Sequence, residues 1–284
     1  MGGHMKKIRA ILLDFDGTSL QQDQMFISLG NKRALWKALD MGIEIIPCTG
    51  RNADMIPPQI EAEPRIRYMV TSNGGRVIDR KTGKVIYQST FTPEETAHLC
   101  RLYEGGKMYS EIAAEGKLFI ESAIRADPGL YSVPRHHVWY IETNRPIPLE
   151  KPSEYFLEHR IGAEKFNISG VPEYMQESLI RGINDLGCAV MSAGAGKNIQ
   201  FFPKRQSRVK AMNALFEFLG YGFESMMSLG DSALDADMIA KSAIGVAMGN
   251  APDEIKAIAD YVTAPYDEDG VAEAIYKFLF DGKK

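Results

Sequence analysis

Short apolar runs alternate with helical patterns at both ends of the chain. Residues 8–13 are almost continuously apolar, which is typical of a strand covered on both faces. Apolar residues then recur at helical spacing between 34 and 39, and Gly42 follows as a helix stop. The pattern predicts further strands over 43–48, 68–71, 225–229, 244–248 and 261–263, and helices over 209–219, 235–241, from Pro252 and over 271–280. Strands that alternate with helices predict an α/β fold with a doubly wound parallel sheet, whose ligand site lies at the carboxyl ends of the strands.

The middle of the chain has a different pattern. Thr92 and Glu95 form a capping box around Pro93, so a helix is predicted to begin there. Alternating runs over 108–121 and 137–142 predict strands, and residues 173–186 carry one apolar helical face. We therefore predict a discontinuous core domain of residues 5–85 and 200–284, with an α+β domain of residues 86–199 inserted into it.

Composition narrows the class of protein. The 284 residues carry a formal net charge of -4 and are 45% apolar, which suits two modest globular domains and argues against a general nucleic-acid or membrane-surface binder. The three cysteines lie far apart, which argues against a disulfide framework and a cysteine zinc site. We therefore expect a cytoplasmic protein with no nucleic-acid or membrane partner, and the oligomeric state stays unknown.

Two carboxylates end the first predicted strand. In an extended chain Asp14 and Asp16 point to the same side, and Gly17 permits a sharp turn after them. Such a pair can divide the work, because one carboxylate can attack phosphorus or bind a metal while the other transfers a proton. A solvated Asp-Gly turn is an equally ordinary interpretation. An EF-hand calcium loop is disfavoured, because Leu20 and Met25 stand where oxygen ligands would be needed.

The second predicted strand ends in Thr49 and Gly50. A threonine hydroxyl and a glycine amide are small donors that could hold phosphate oxygens close to the backbone. A helix N-cap is the alternative interpretation. Pro47 lacks an N–H donor, so we expect it at the last paired position of the strand.

Asp231 and Asp235 follow the predicted strand 225–229. Carboxylates at a strand end suit Mg²⁺, which binds a few of them and completes its shell with water and phosphate. Asp235 could also simply cap the following helix.

A basic residue is also needed to neutralise a phosphoryl group. Arg208 and Lys210 are the candidates in the basic segment 203–210, although such a run is often a solvated face.

Taken together, these segments resemble the haloacid dehalogenase superfamily, and within it the Cof-type sugar-phosphate phosphatases. That family has Asp-x-Asp-Gly-Thr, Thr-Gly-Arg, Ser-Asn-Gly, a basic motif and Gly-Asp-x-x-Asn-Asp. The corresponding residues here are 14–18, 49–51, 72–74, 208 and 230–235, and segments 245–251 and 267–271 are also similar to this branch. The insert at 86–199 matches the position of the family's large cap, which selects the substrate.

The resemblance implies a role for each candidate. Asp14 would attack phosphorus to form an aspartyl-phosphate, and Asp16 would act as the general acid and base. Mg²⁺ would be held by the Asp14 carboxylate, the Asp16 carbonyl and Asp231, with Asp235 in support. Thr49, Gly50 and Arg208 or Lys210 would bind the phosphate, with Thr49 and Arg208 taking part in catalysis.

The resemblance also implies the kind of reaction. It favours hydrolysis of small phosphorylated metabolites such as sugar phosphates. A phosphomutase of the same superfamily and a catalytically weakened sugar-phosphate binder are the alternatives. Two positions depart from the family pattern: Arg208 replaces the usual lysine, and Leu234 replaces the asparagine before Asp235.

Overall fold

The computed structural model describes residues 7–143, 145–193 and 198–280. Over these residues the chain divides into two compact units. The first unit contains residues 7–50, 56–87 and 208–280, and the second contains residues 51–55, 88–143, 145–193 and 198–207.

A five-stranded parallel sheet forms the centre of the first unit. Its strands are β1 (Ala10–Leu13), β2 (Glu44–Pro47), β12 (Met226–Gly230), β13 (Ile244–Ala247) and β14 (Tyr261–Val262), in the order β14-β13-β12-β1-β2. Ala10 pairs with Met226 on one side and with Glu44 on the other, so β1 lies inside the sheet. Pro47 is the last residue of β2, as expected from its missing N–H.

Helices cover both faces of this sheet. The helices of the first unit are α1 (Leu29–Asp40), α2 (Pro58–Glu61), α8 (Arg208–Leu219), α9 (Ala236–Lys241), α10 (Asp253–Lys256) and α11 (Gly270–Ile275), which continues as a π-helical turn over Tyr276–Phe280. Ile11 and Leu13 pack in one core with residues of α1 and α11, whereas Leu12 packs in another with Met212 and Leu215 of α8. Burial on both faces explains the continuous apolar run of β1 and confirms the predicted doubly wound α/β fold.

The predicted strand at 68–71 joins a separate small sheet. β3 (Tyr68–Thr71), β4 (Arg76–Asp79) and β5 (Lys84–Gln88) form this three-stranded sheet, in which β3 and β4 are antiparallel. One isolated parallel bridge joins Cys48 to Val70, so the ends of β2 and β3 lie side by side.

The second unit is built on a six-stranded mixed sheet. Its strands are β6 (Tyr109–Ala114), β7 (Lys117–Glu121), β8 (Ile147–Leu149), β9 (Lys165–Ser169), β10 (Ala189–Ala193) and β11 (Ile199–Pro203), in the order β10-β11-β9-β6-β7-β8. Its helices are α3 (Pro93–Arg101), α4 (Ser122–Ala126), α5 (Arg135–Glu142), α6 (Pro152–Glu158) and α7 (Glu173–Asp185). The predicted capping box is present, because Thr92 and Glu95 each accept a backbone N–H bond from the other residue.

The predicted strand over 137–142 is wrong. This segment belongs to the helix α5, whose buried residues are His137, Tyr140 and Ile141. These positions have the i, i+3, i+4 spacing of one helical face, and the aromatic and β-branched side chains between them imitate a strand pattern.

The boundary between the units also differs from the predicted boundary at residue 200. Phe201 pairs with Met191 on one side and with Phe166 on the other, which ties β11 to the sheet of the second unit. Residues 200–207 therefore lie in the second unit, although the sequence pattern assigns them to the core. Within the described residues, no helix is both long and apolar enough to span a bilayer.

Candidate active site

Asp14 follows directly after β1. Its N–H donates to the Leu229 carbonyl of β12 (3.2 Å), so the pairing of β1 continues to this residue. The side chain is buried, and burial together with the negative charge of Asp235 raises its pKa well above the usual range for an aspartate. The positive charge of Arg208 acts in the opposite direction.

Asp231 lies on the neighbouring strand end, beyond β12. The Thr18 hydroxyl donates to one carboxylate oxygen (3.2 Å), and the Asn250 side-chain amide approaches the other at 3.4 Å. Gly17 has a φ of +78°, and a Cβ atom there would overlap the Asp231 carboxylate. Glycine at this turn therefore serves both the backbone conformation and the close approach of Asp231. Burial and then the charge of Asp235 raise the pKa of Asp231 to about 6.

Asp235 connects the acidic groups to the basic one. It is fully buried, and one carboxylate oxygen accepts hydrogen bonds from the Ser232 hydroxyl (2.7 Å) and the Ser232 N–H (3.0 Å). The other oxygen accepts from Nη1 of Arg208. Asp235 stands immediately before α9, but its side chain makes no N-cap bond to that helix. Its carboxylate instead organises the loop after β12.

Arg208 and Lys210 were both candidates for the basic role. Arg208, the first residue of α8, bonds to Asp235 and donates from Nη2 to the Asn73 Oδ1 atom (3.3 Å). Its buried Nε atom has no hydrogen-bond partner in the described part of the chain. Lys210 lies two residues later and is exposed, because residues at i and i+2 face different sides of a helix.

Thr49 and Gly50 lie between β2 and β3. The Thr49 N–H donates to the Val70 carbonyl (2.9 Å), and the Thr49 carbonyl accepts from the Asn73 N–H (3.1 Å). Thr49 is fully buried, and a Cβ atom at Gly50 would lie 2.8 Å from the Asn73 Oδ1 atom. Arg51, the third residue of this motif, belongs to the second unit and donates to the Met55 carbonyl and the Tyr140 hydroxyl, both at 3.3 Å.

Asp16 lies in the turn after Asp14. It is half-buried, and its negative charge contributes to the raised pKa values of Asp14 and Asp231. Leu234, which replaces the asparagine of the family pattern, is 37% exposed and stands next to the buried Asp235.

Three of these carboxylates could hold a metal ion. Asp14, Asp231 and Asp235 each offer an oxygen, and the three oxygens lie within 4.8 Å of one another. Hard divalent cations with oxygen ligands, Mg²⁺ above all, match this donor set. The Asp16 side chain is not a member of the group.

Comparison with known proteins identifies the family. A family model described as haloacid dehalogenase-like hydrolase matches residues 11–275. The chain belongs to this family of hydrolases.

Relatives of similar length support the assignment. A 5-amino-6-(5-phospho-D-ribitylamino)uracil phosphatase of Bacillus subtilis is 26% identical over 268 residues, which cover 94% of each chain. The phosphatase YwpJ of the same organism is 25% identical over 96% of this chain and all of its own length. A haloacid dehalogenase-like hydrolase from Bacteroides thetaiotaomicron has a similar fold, with a TM-score of 0.79 at 23% identity over 96% of this chain and 100% of that chain. A subclass IIB sugar phosphatase of the same superfamily has a TM-score of 0.71 at 24% identity over 95% and 98%. The resemblance predicted from the motifs is thus confirmed.

Several polar residues of the site in this haloacid dehalogenase-like hydrolase have no role that the sequence pattern predicts. Thr18 and Asn250 contact Asp231, Ser232 contacts Asp235, and Asn73 contacts Arg208. Asn250 also donates to the Gly17 carbonyl (2.9 Å) and accepts from the Tyr266 N–H (3.1 Å), so it joins three loops. All four stand in segments that resemble the family (14–18, 72–74, 230–235 and 245–251), and this position is the only signal that the sequence offers for them.

Proposed function

We propose that this chain is a Mg²⁺-dependent phosphatase that hydrolyses small phosphate monoesters through an aspartyl-phosphate on Asp14. The observation that carries the proposal is the meeting of a carboxylate group and a buried guanidinium at the carboxyl edge of one parallel sheet. Asp14 shares an oxygen cluster with Asp231 and Asp235, and Arg208 bonds to Asp235 in the same place. Phosphoryl transfer needs mainly positioning and charge neutralisation, which this set of groups can provide.

In the proposed first step, a carboxylate oxygen of Asp14 attacks phosphorus. A bond forms between that oxygen and phosphorus while the bond from phosphorus to the ester oxygen breaks. Asp16 gives its proton to the departing alkoxide, which leaves as an alcohol. The half-buried position of Asp16 suits a group that must exchange protons with substrate and water.

In the proposed second step, the aspartyl-phosphate is hydrolysed. Asp16, now ionised, takes a proton from a water molecule as its oxygen attacks phosphorus. The bond between phosphorus and the Asp14 oxygen breaks, which releases inorganic phosphate and restores both carboxyl groups.

Thr49, Gly50 and Arg208 are the proposed phosphate-binding groups. The Arg208 Nε–H is buried and has no partner among the described residues, so an anion would satisfy it. Of the two basic candidates we propose Arg208, since Lys210 is exposed.

Asp14, Asp231 and Asp235 would hold Mg²⁺, with the Asp16 carbonyl as a further ligand. The ion, when bound, supplies positive charge that offsets the carboxylates and the phosphoryl oxygens. The cluster suits this role because its three carboxylates repel one another, two of them are buried, and a cation would offset their charge.

The substrate class is proposed from the resemblance and from the relatives. The names of the two Bacillus subtilis relatives describe phosphatases, and one of them acts on a phosphorylated ribitylamino compound. We propose that sugar phosphates and similar small metabolites are the substrates, selected by the second unit. The expected cytoplasmic location stays a prediction.

The test is a turnover screen of sugar phosphates, nucleotides and cofactor phosphates, with Mg²⁺ and with EDTA. We expect Mg²⁺-dependent release of inorganic phosphate from wild-type protein and none from Asp14→Asn with unchanged circular dichroism. Asp237→Asn is the matched control, because Asp237 is an exposed aspartate on α9. A hexose 1-phosphate converted into an isomer without free phosphate would indicate a phosphomutase, and binding without turnover would indicate a binding protein.

A further inference from the structure

Asn73 occupies an unusual backbone position beside the proposed phosphate site. It lies in the 3-10 turn Ser72–Gly74 with φ 56° and ψ 37°, in the left-handed region that few non-glycine residues adopt. Asparagine tolerates this region better than most residues do. Its N–H donates to the Thr49 carbonyl (3.1 Å), and its side chain is buried against Gly50. The turn therefore directs the Asn73 side chain into the region of Thr49 and Gly50.

The Asn73 side chain also holds one end of Arg208. Its Oδ1 atom accepts from Nη2 of Arg208 at 3.3 Å, while Asp235 accepts from Nη1. A guanidinium is planar and carries five N–H groups in a fixed arrangement. Two acceptors on two different nitrogens fix the rotation of that plane as well as its position. The buried Nε–H, which has no partner within the described residues, then faces a defined direction.

The unpartnered Nε–H and one of the two N–H groups of Nη2 lie on the same edge of the guanidinium. This edge is the one that binds two oxygens of a phosphate or carboxylate side by side. Asp235 alone could hold the charge of Arg208 in place, but a single bonded terminal nitrogen would let the plane turn. The acceptor on Nη2 is what keeps the free edge turned in one direction.

We propose that Asn73 is a positioning residue that orients Arg208 for two-point binding of the phosphate group. The expected effect on KM rests on the proposed phosphatase function. The expected effect on the affinity for inorganic phosphate does not depend on it. Asparagine suits the role because its amide oxygen is a neutral acceptor. It orients the guanidinium without cancelling the positive charge that the phosphate needs.

The test compares Asn73→Gly and Asn73→Asp with wild-type protein. Glycine removes the acceptor and adopts the left-handed backbone without strain, whereas aspartate keeps an acceptor oxygen but adds a negative charge. Arg160→Gly is the matched control, because Arg160 is exposed and also has a left-handed φ of 55°. Inorganic phosphate binding is measured by calorimetry with Mg²⁺, and KM and kcat are measured with p-nitrophenyl phosphate.

For Asn73→Gly we expect phosphate affinity to fall about tenfold and KM to rise by a similar factor, the size of one lost hydrogen bond to a charged group. The kcat value should change less than KM, and urea unfolding should change little. Asn73→Asp should weaken phosphate binding at least as much, because it neutralises Arg208. In an Arg208→Lys background, which lacks the planar fork, Asn73→Gly should have almost no further effect.

Phosphate affinity within about twofold of wild type in Asn73→Gly would overturn the inference. The inference would also be overturned if Asn73→Gly lowered phosphate affinity by the same factor in the Arg208→Lys background, because Asn73 would then not act through Arg208. If wild-type protein binds phosphate but has no phosphatase activity, the proposed function fails while the binding comparison still tests Asn73.

Discussion

Replacement of Asp235 by alanine should destabilise the first unit. Asp235 is fully buried, and its carboxylate accepts from Arg208, from the Ser232 hydroxyl and from the Ser232 N–H. Removing one partner of a buried ion pair leaves the other charge uncompensated, which costs about 3 to 5 kcal/mol of unfolding free energy.

The loss of Asp235 also relieves a repulsion that must be set against this cost. Its charge raises the pKa values of Asp14 and Asp231, and the three carboxylates approach within 4.8 Å. Two full charges at that distance repel by about 3.5 kcal/mol at an effective dielectric constant of about 20. However, the pKa of Asp14 is raised well above its usual range, so this carboxyl group gains a proton more readily than an ordinary aspartate, which lessens the repulsion. We therefore expect the loss of the Asp235–Arg208 ion pair to dominate, so that Asp235→Ala lowers the free energy of unfolding by about 2 to 4 kcal/mol.

The assay is urea unfolding at neutral pH in the presence of EDTA, followed by tryptophan fluorescence. Trp36 lies in the first unit and Trp139 in the second, so a Trp139→Phe background makes the fluorescence report on the first unit. Asp237→Ala is the matched control on α9. Asp237 is 64% exposed, and its 3.7 Å ion pair with Lys241 is worth roughly 0.3 to 0.5 kcal/mol.

Two results would refute the reasoning. One is an Asp235→Ala variant that is no less stable than Asp237→Ala. The other concerns the double variant Arg208→Met, Asp235→Leu, in which neither charge is left unpaired. This variant should recover much of the lost stability, and a double variant as unstable as Asp235→Ala alone would contradict the ion-pair explanation.

Two further predictions concern the second unit and the basic residue. Burial alone would raise the pKa of Glu111, but His137 (2.5 Å) and Asn167 (3.0 Å) hold it at about 2. The stability that comes from this depressed pKa is fully present above the usual value of about 4.3, and it is lost as the pH falls towards 2. Glu111→Gln should therefore lower the free energy of unfolding by on the order of 3 kcal/mol at neutral pH, and it should make urea unfolding less sensitive to acid. An unchanged dependence of unfolding on pH would contradict this prediction. Arg208→Lys should raise the KM for phosphate esters more than about tenfold, whereas Lys210→Ala should leave the KM within about twofold of the wild-type value. If steady-state kinetics show the larger effect for Lys210→Ala, Arg208 is not the residue that binds the phosphate.

Strand ends were the predictable part of the site. A strand that is buried on both faces can be recognised from its continuous apolar run alone, without knowledge of the strands beside it. The carboxyl ends of parallel strands then lie at one edge of the sheet. This is why Asp14, Thr49 and Asp231 could be brought together from the pattern alone. Pro47 could be placed for a similar local reason, since a residue without an N–H group is tolerated at the end of a strand, and Pro47 is the last residue of β2.

The unpredicted features depend on contacts between distant segments. The bond from Arg208 to Asn73 joins residues 135 positions apart, and the bond from Asn250 to Gly17 joins residues 233 positions apart. No local spacing encodes such a pair. The prediction of a strand over 137–142 fails for a different reason, because the segment is short and the aromatic and β-branched residues beside His137, Tyr140 and Ile141 are also typical of strands.

The proposed mechanism is tested most directly by asking whether the phosphoryl group is carried on Asp14. Protein mixed with a substrate radiolabelled in its phosphate is quenched in acid within the first turnover, digested, and its peptides are separated. We predict a base-labile label on the peptide that contains Asp14, both in the wild type and in the exposed control Asp237→Asn. No label is expected in Asp14→Asn. Phosphate release without any labelled peptide, or an equal label in Asp14→Asn, would contradict an aspartyl-phosphate on Asp14.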